Sequence, residues 1–124
     1  MPDLKQFEKQ KYLNIETFRK NGNGVKTPVW FVQEGEKLFI WTESASGKAK
    51  RIRNSGKVKI VPSKPDGAPV GEWVPAKARV DEADASIAHL KALMSKKYGF
   101  AFSLFAMMAK LRRTRNIAIR VEAD

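Results

Sequence analysis

The chain has no cysteine and only one histidine in 124 residues. Without cysteine there are no disulfides, no thiolate metal sites and no cysteine nucleophile, a usage that suits a reducing compartment. One imidazole cannot build a histidine metal centre, so no metal is expected. No run approaches the roughly 20 apolar residues that cross a bilayer, and no transmembrane segment is expected. The opening MPDLKQFEKQ is polar and charged, and reads as neither a secretory signal nor a transit peptide. A cytoplasmic protein is the expectation. Catalytic constellations are missing too: there is no Ser-His-Asp spacing, no paired carboxylate in apolar surroundings, and no Walker A or dinucleotide fingerprint. Acid is scarce, with 13 Asp and Glu against 24 Lys and Arg, a formal charge of +11. Such a surface favours anionic partners.

With 43% hydrophobic residues, the length suits one domain over 1–124, residues 1–11 forming a polar lead-in. Strand periodicity dominates. In KYLNIETFRK, Leu13, Ile15 and Thr17 alternate with Asn14, Glu16 and Phe18; NGNG at 21–24 then supplies a hairpin turn. The next runs, VKTPVWFVQ and KLFIWT, are apolar on both faces: Val29 and Phe31 oppose Trp30 and Val32, and Leu38 and Ile40 oppose Phe39 and Trp41. Strands covered on both sides belong at the centre of something, with a barrel interior on one side and a helix, ligand or second subunit on the other. Pro28 cannot donate to a ladder, so it marks an edge or a bulge.

Ser46 is placed to cap a short helix over about 47–55, with Ala49 and Ile52 facing inward and Gly56 ending it. KVKIV and WVPAKARV read as strands four and five. A helix over about 84–97 carries the stripe Ile87, Leu90, Met94, and Gly99 breaks it. FAFSLFAMMA is apolar nearly all round, which predicts a helix buried on most sides or docked on another chain. TRNIAIRVEA closes as strand six. Six strands with three helices and no βαβ alternation predict a mainly β, α+β chain: a six-stranded antiparallel barrel decorated by helices.

Between Ser44 and Lys64 lie seven cations and no acid. SASGKAKR is the informative part, because a capped helix start presents free N–H groups and a partial positive charge, with Lys48 and Arg51 beside it. Lys50 and Arg53 point off that edge. A second basic group, Lys96, Lys97, Lys110, Arg112, Arg113 and Arg115, lies near the C-terminus. Trp30, Phe31, Phe39 and Trp41 on paired strands either pack the core or stack bases, as in nucleic-acid-binding barrels. His89 falls off the apolar stripe of its helix and reads as a surface residue.

The succession TFRKNGNGVKTPVWFV, LFIWTESASGKAKRIRNSGKVKI, VPAKARV and KKYG…LRR resembles the pyridoxamine 5'-phosphate oxidase-like split-barrel proteins. It is most similar to their deazaflavin branch, which uses coenzyme F-420. The resemblance spans about residues 12–121 and implies a homodimeric FMN-binding split barrel. It implies that Ser46, Gly47, Lys48 and Arg51 hold the cofactor phosphate and that Trp41 and Thr42 border the ribityl chain and ring. Lys26, Thr27, Pro28, Val29 and Trp30 would lie along the ring, with Trp73, Lys77 or Arg79 of the other subunit completing the site. Where pyridoxamine phosphate oxidases keep a basic substrate residue this chain has Phe31, so pyridoxal phosphate synthesis is not expected. The implied activity is hydride transfer between F-420 or FMN and an unsaturated organic small molecule. A cofactor carrier with little turnover and a nucleic-acid-binding barrel are the competing readings.

Overall fold

In the computed structural model, which describes residues 4–124, the six alternating runs become strands β1 (Tyr12–Phe18), β2 (Gly24–Glu34), β3 (Lys37–Glu43), β4 (Lys57–Ser63), β5 (Val74–Asp81) and β6 (Asn116–Ala123). The helices are α1 (Gly47–Asn54), α2 (Asp84–Tyr98) and α3 (Phe100–Leu111). All strand pairs are antiparallel and close in the order β1-β2-β3-β6-β5-β4. The mainly β barrel with helices expected from the periodicity is the fold observed.

Alternation sorts the side chains as expected. Leu13, Ile15, Phe31, Leu38, Ile40, Val58, Ile60, Val74, Ala76, Ala78, Ile119 and Val121 fill the barrel. Val32 is buried with Trp30, Phe39 and Trp41 against it on the outer face, where Leu90 and Met94 of α2 and Phe102 of α3 cover them. The second cover of these strands is thus a helical pair. Ile52 of α1 enters the barrel core, and so do Leu4 and Phe7, which stand on a single 3-10 turn (Leu4–Phe7). The lead-in therefore carries two core side chains, Phe7 meeting Phe31 edge-on at 6.0 Å; Met1–Asp3 lie outside the described residues.

One strand changes partner, and that splits the barrel wall. Gly24–Trp30 of β2 pair with β1, whereas Phe31–Glu34 pair with β3. Pro28 sits in the half whose other edge is free, the place a residue without an N–H can occupy. Tyr12–Trp30 is the last β1–β2 pair. Where the next rung would form, the Tyr98 hydroxyl is inserted: it accepts from Phe31 N at 3.0 Å and lies 2.7 Å from Lys11 O. Lys97 Nζ donates to Phe31 O at 2.8 Å and sits 3.8 Å from the Phe31 ring centroid. With that carbonyl served by Lys97, the phenol proton is free for Lys11 O. The end of α2 thus satisfies the backbone groups orphaned by the partner change.

Of the two readings of the apolar third helix, burial on most sides within this chain is not what is observed. Phe102 and Ala109 are buried, but Phe100 is 81% and Leu111 74% exposed, and Leu104, Phe105, Met107 and Met108 are exposed as well. α3 packs along one narrow stripe only, through Phe102, Ala106 and Ala109, and follows α2 across a Gly99 joint at φ 62°.

Two outcomes follow from the Tyr98 rung. Tyr98→Phe keeps the ring stacked on Trp30 (4.5 Å, 8°) and strands the Phe31 N–H, so denaturant titration should register a loss of about 1–3 kcal/mol. Burial also holds the Lys97 ammonium at about 8, below its ordinary 10.5. Between those values the unfolded chain binds the proton and the folded chain does not, so this group makes stability rise with pH from about 8 to about 10. Above that, Tyr98, whose pKa burial pushes up, contributes in the opposite sense. Thermal unfolding of Lys97→Met should lack the rise; an unchanged slope would exclude Lys97 as its source.

Candidate functional site

The free edge of β2 faces a cavity of about 370 Å³ closed by the end of β3, the start of α1 and the α2–α3 pair, a size ordinary for small-molecule sites. One end is polar. Ser46 caps α1 by accepting from Ala49 N at 3.1 Å, and its Oγ lies 3.4 Å from Thr42 Oγ1. Lys48 Nζ reaches the same Thr42 oxygen at 3.5 Å. Burial lowers the Lys48 pKa, repulsion from Arg51 lowers it further, and Glu43 works the other way. A half-buried cation beside a helix N-terminus, with hydroxyls and, among the described residues, no ion-paired carboxylate, is an electrostatic seat for an anion.

The other walls are aromatic. Trp30 is backed by Tyr98 and tilted against Phe105 at 5.9 Å; Trp41 meets Phe102 edge-on at 5.2 Å. Met94 completes the apolar side, with Tyr12 at the rim. Two residues of this lining carry buried polar atoms, Trp41 Nε1 and Asn116 Oδ1, that have no partner among the described residues. Leaving such a group unpaired costs about 1–3 kcal/mol.

Of the residues singled out in the sequence, the structure brings Thr27, Pro28, Val29, Trp30, Trp41, Thr42, Ser46 and Lys48 together in this lining. Lys26, Gly47 and Arg51 are not part of it. Arg51 donates from Nε to Thr17 Oγ1 of β1 at 2.6 Å, and a Cβ on Gly47 would stand 2.7 Å from its Nη1. It therefore braces α1 against the barrel over the helix start. Lys26 is exposed, its ammonium 5.2 Å from the Trp73 ring of the same chain. Lys77 lies opposite both Lys57 and Glu122, and Arg79 opposite Arg120, away from the cavity. Arg53 is tied to Ser44 O and Oγ at 2.8 and 3.0 Å, so it fastens the turn before α1.

Tyr12, Glu43, Met94, Phe102, Phe105 and Asn116 also line the cavity and were not singled out. Phe102 and Phe105 share a helix face at i, i+3, a visible signal; nothing local marks Asn116, which arrives through the β3–β6 register opposite Glu43. Phe31 fills the barrel core, and Trp30, Phe39 and Trp41 lie under the helical pair, so these aromatics offer no open platform for bases. His89 is exposed and paired with Glu34 at 2.9 Å. Among the described residues no group of His, Cys, Asp and Glu is arranged to hold a metal ion, and no helix is long and apolar enough to cross a membrane.

Lys48 must be protonated to hold an anion. Affinity for a phosphate monoester should fall as pH rises and begin to do so below the ordinary lysine value of 10.5. Lys48→Arg should flatten the fall and Lys48→Met should remove most of the binding, both read by calorimetric titration.

Comparison of the sequence finds no matching family model and no matching curated protein. Comparison of the structure does. The haem storage protein HutZ from Vibrio cholerae aligns at TM-score 0.72 and 17% identity over 94% of this chain and 84% of that one. A Listeria innocua protein described as a pyridoxamine 5'-phosphate oxidase aligns at 0.70 and 10% identity, covering 98% and 90%. An F-420 reductase aligns at 0.64 and 17% identity, covering 100% and 96%. The chain has the split-barrel fold of pyridoxamine 5'-phosphate oxidase-like proteins.

Proposed function

We propose that this split barrel is an oxidoreductase that holds F-420 or FMN in the β2–α1 cavity and serves an unsaturated organic substrate. The observation that carries the reading is the convergence of Lys48, Ser46 and Thr42 at one end of a cavity whose other walls are Trp30, Trp41, Phe102 and Phe105. A flavin-type group needs this pairing of a phosphate seat with a flat apolar slot. When bound, it supplies the hydride chemistry. The chain's own residues then need only bind, orient and exclude water, which accords with the missing acid-base motifs.

In this reading Lys48 and the α1 N–H groups neutralise the phosphate, with Ser46 and Thr42 as hydroxyl partners. Arg51 and Gly47 act one step back: Arg51 holds the helix start, and Gly47 leaves room for it. Lys26 stands outside as a cation for a longer anionic tail. The Thr27–Trp30 edge lies along the ring, and the α2–α3 pair shields it from water. F-420 is favoured over FMN because its glutamate tail adds carboxylates that a surface at +11 attracts. Pyridoxal phosphate synthesis is not proposed, since Phe31 is committed to the barrel core.

The working unit in this reading is a homodimer in which the other subunit's Lys77 and Arg79 approach the tail. What supports this is their surroundings: Lys57, Lys77, Arg79 and Arg120 are cross-strand neighbours with Glu122, paired to Arg120 at 2.9 Å, so the face keeps an excess of positive charge that an anion would offset. Trp73 is already engaged with Lys26 and enters this reading as a support for that lysine.

The test is titration with FMN and with F-420, followed by single turnover of the reduced cofactor against quinones and enones. Micromolar binding, weakened at least tenfold by Lys48→Met, together with turnover is the expected result. Binding without turnover would leave a carrier, and binding of single-stranded nucleic acid in place of either cofactor would sink the reading.

A further inference from the structure

The helix α3 has two apolar sides, and the fold uses one of them. At about 100° per residue, Phe102, Ala106 and Ala109 fall on the side packed against the rest of the chain. Phe100, Leu104, Met107 and Leu111, spaced i, i+4, i+7 and i+11, fall on the opposite side, and they are 81%, 46%, 53% and 74% exposed. Met108 stands beside them, also exposed. Apolar residues scattered singly over a surface need no explanation, but a continuous ridge along one helix marks a contact surface. The ridge is separate from the cavity wall, to which α3 contributes Phe102 and Phe105.

The charges around the ridge say what it meets. From Ala85 to Val121 the chain has no Asp or Glu. Lys96 precedes the ridge by one helical turn, and Lys110, Arg112 and Arg113 follow at its end; all four are exposed. Among the described residues none of the four has a carboxylate partner. Other cations of the segment are engaged: Lys97 donates to Phe31 O, Arg115 lies 3.9 Å from Glu82, and Arg120 is paired with Glu122. The ridge is therefore bracketed at both ends by positive charge with no acid to offset it.

We infer that α3 docks on the surface of an anionic phospholipid bilayer, its ridge entering the boundary between headgroups and acyl chains and Lys96, Lys110, Arg112 and Arg113 lying among the headgroup phosphates. At about 18 Å the helix suits lying along such a surface, and it is too short to cross one. Other occupants fit less well. A second copy joined ridge to ridge would gather the cations of two acid-free segments, and like charges brought together at a contact oppose it. A nucleic acid would satisfy the cations and leave the ridge in water. The inference is independent of what fills the cavity.

Vesicle flotation with the whole chain tests this, using phosphatidylcholine alone and phosphatidylcholine mixed with phosphatidylglycerol. The unaltered protein should bind the mixed vesicles, bind phosphatidylcholine alone far less, and lose affinity as salt is added. Any chain at +11 is drawn to such vesicles, so the ridge is read separately. The combined variant Phe100→Ser, Leu104→Ser, Met107→Ser keeps the charge and should weaken binding by about tenfold or more. Circular dichroism checks that it folds, and Phe100→Ser alone, at the most exposed of these positions, should already weaken binding severalfold. Arg112→Gln with Arg113→Gln should cost about fivefold per cation. Lys59→Gln with Lys64→Gln, two exposed cations at β4 and just after it, should change binding by no more than about twofold. If the ridge variants bind as the unaltered chain does, or if the two charge pairs cost the same, the whole basic surface is responsible and the assignment is overturned. Absence of binding to the mixed vesicles in low salt overturns it too, and that measurement needs no variant to fold. Self-association that the ridge variants abolish, in a chain that ignores vesicles, would give the ridge to a second copy instead.

Discussion

β2 lies between β1 and β3 but pairs with β1 only along its first half and with β3 only along its second, so half of each edge is left without a ladder partner. The rest of the site depends on that constraint. Where β2 leaves β1 for β3, backbone groups lose their ladder partners, and buried backbone groups without partners are not tolerated. The repair comes from far along the chain: Tyr98 and Lys97 at the end of α2 bond Phe31 and Lys11. Because the repair is made by a helix end, α2 must lie across the outer face of β2 and β3. Because α2 lies there, the free half of β2 looks into a slot instead of open solvent. The opening in the wall and the cover over it have one origin.

Much of this was legible in the residues. Two-faced apolar strands at 29–32 and 38–41 required a cover on each side, and the barrel interior and the α2–α3 pair are those covers. Pro28 pointed to an edge or a bulge, and it stands in the half of β2 whose other edge is free. The Ser46 cap and Lys48 could be read because capping chemistry is local, set by spacing within a few residues. What could not be read depended on register or on distance along the chain. Asn116 reaches the cavity only because β6 lies beside β3. The rung made by Tyr98 joins residues 67 and 87 positions apart, and no periodicity reports such a bond. For the apolar run 100–109, composition left burial in this chain and docking on another chain open; within this chain only one stripe of it finds a wall.

The cations, which from composition look like one basic surface, separate into different physical jobs. Arg53 fastens a turn, Arg51 braces α1 from β1, and Lys97 serves a carbonyl at the split. Lys48 alone among them lines the cavity. Lys57, Lys77, Arg79 and Arg120 crowd one sheet face against Glu122. A net charge therefore overstates what is available to a ligand, since part of it is spent on the fold. The lowered pKa of Lys48, caused first by burial and then by Arg51, marks a cation held in place at a cost to its own charge.

Gly99 is the whole of the joint between the two covering helices. The Tyr98 hydroxyl sits on one side of it; on the other, within two turns, come Phe102 and Phe105 of the cavity wall. The arm between pin and wall is short, so the seat of the α2 end, made by Tyr98 and Lys97 on Phe31 and by Tyr98 on Trp30, also sets where Phe102 and Phe105 stand and with them the width of the slot.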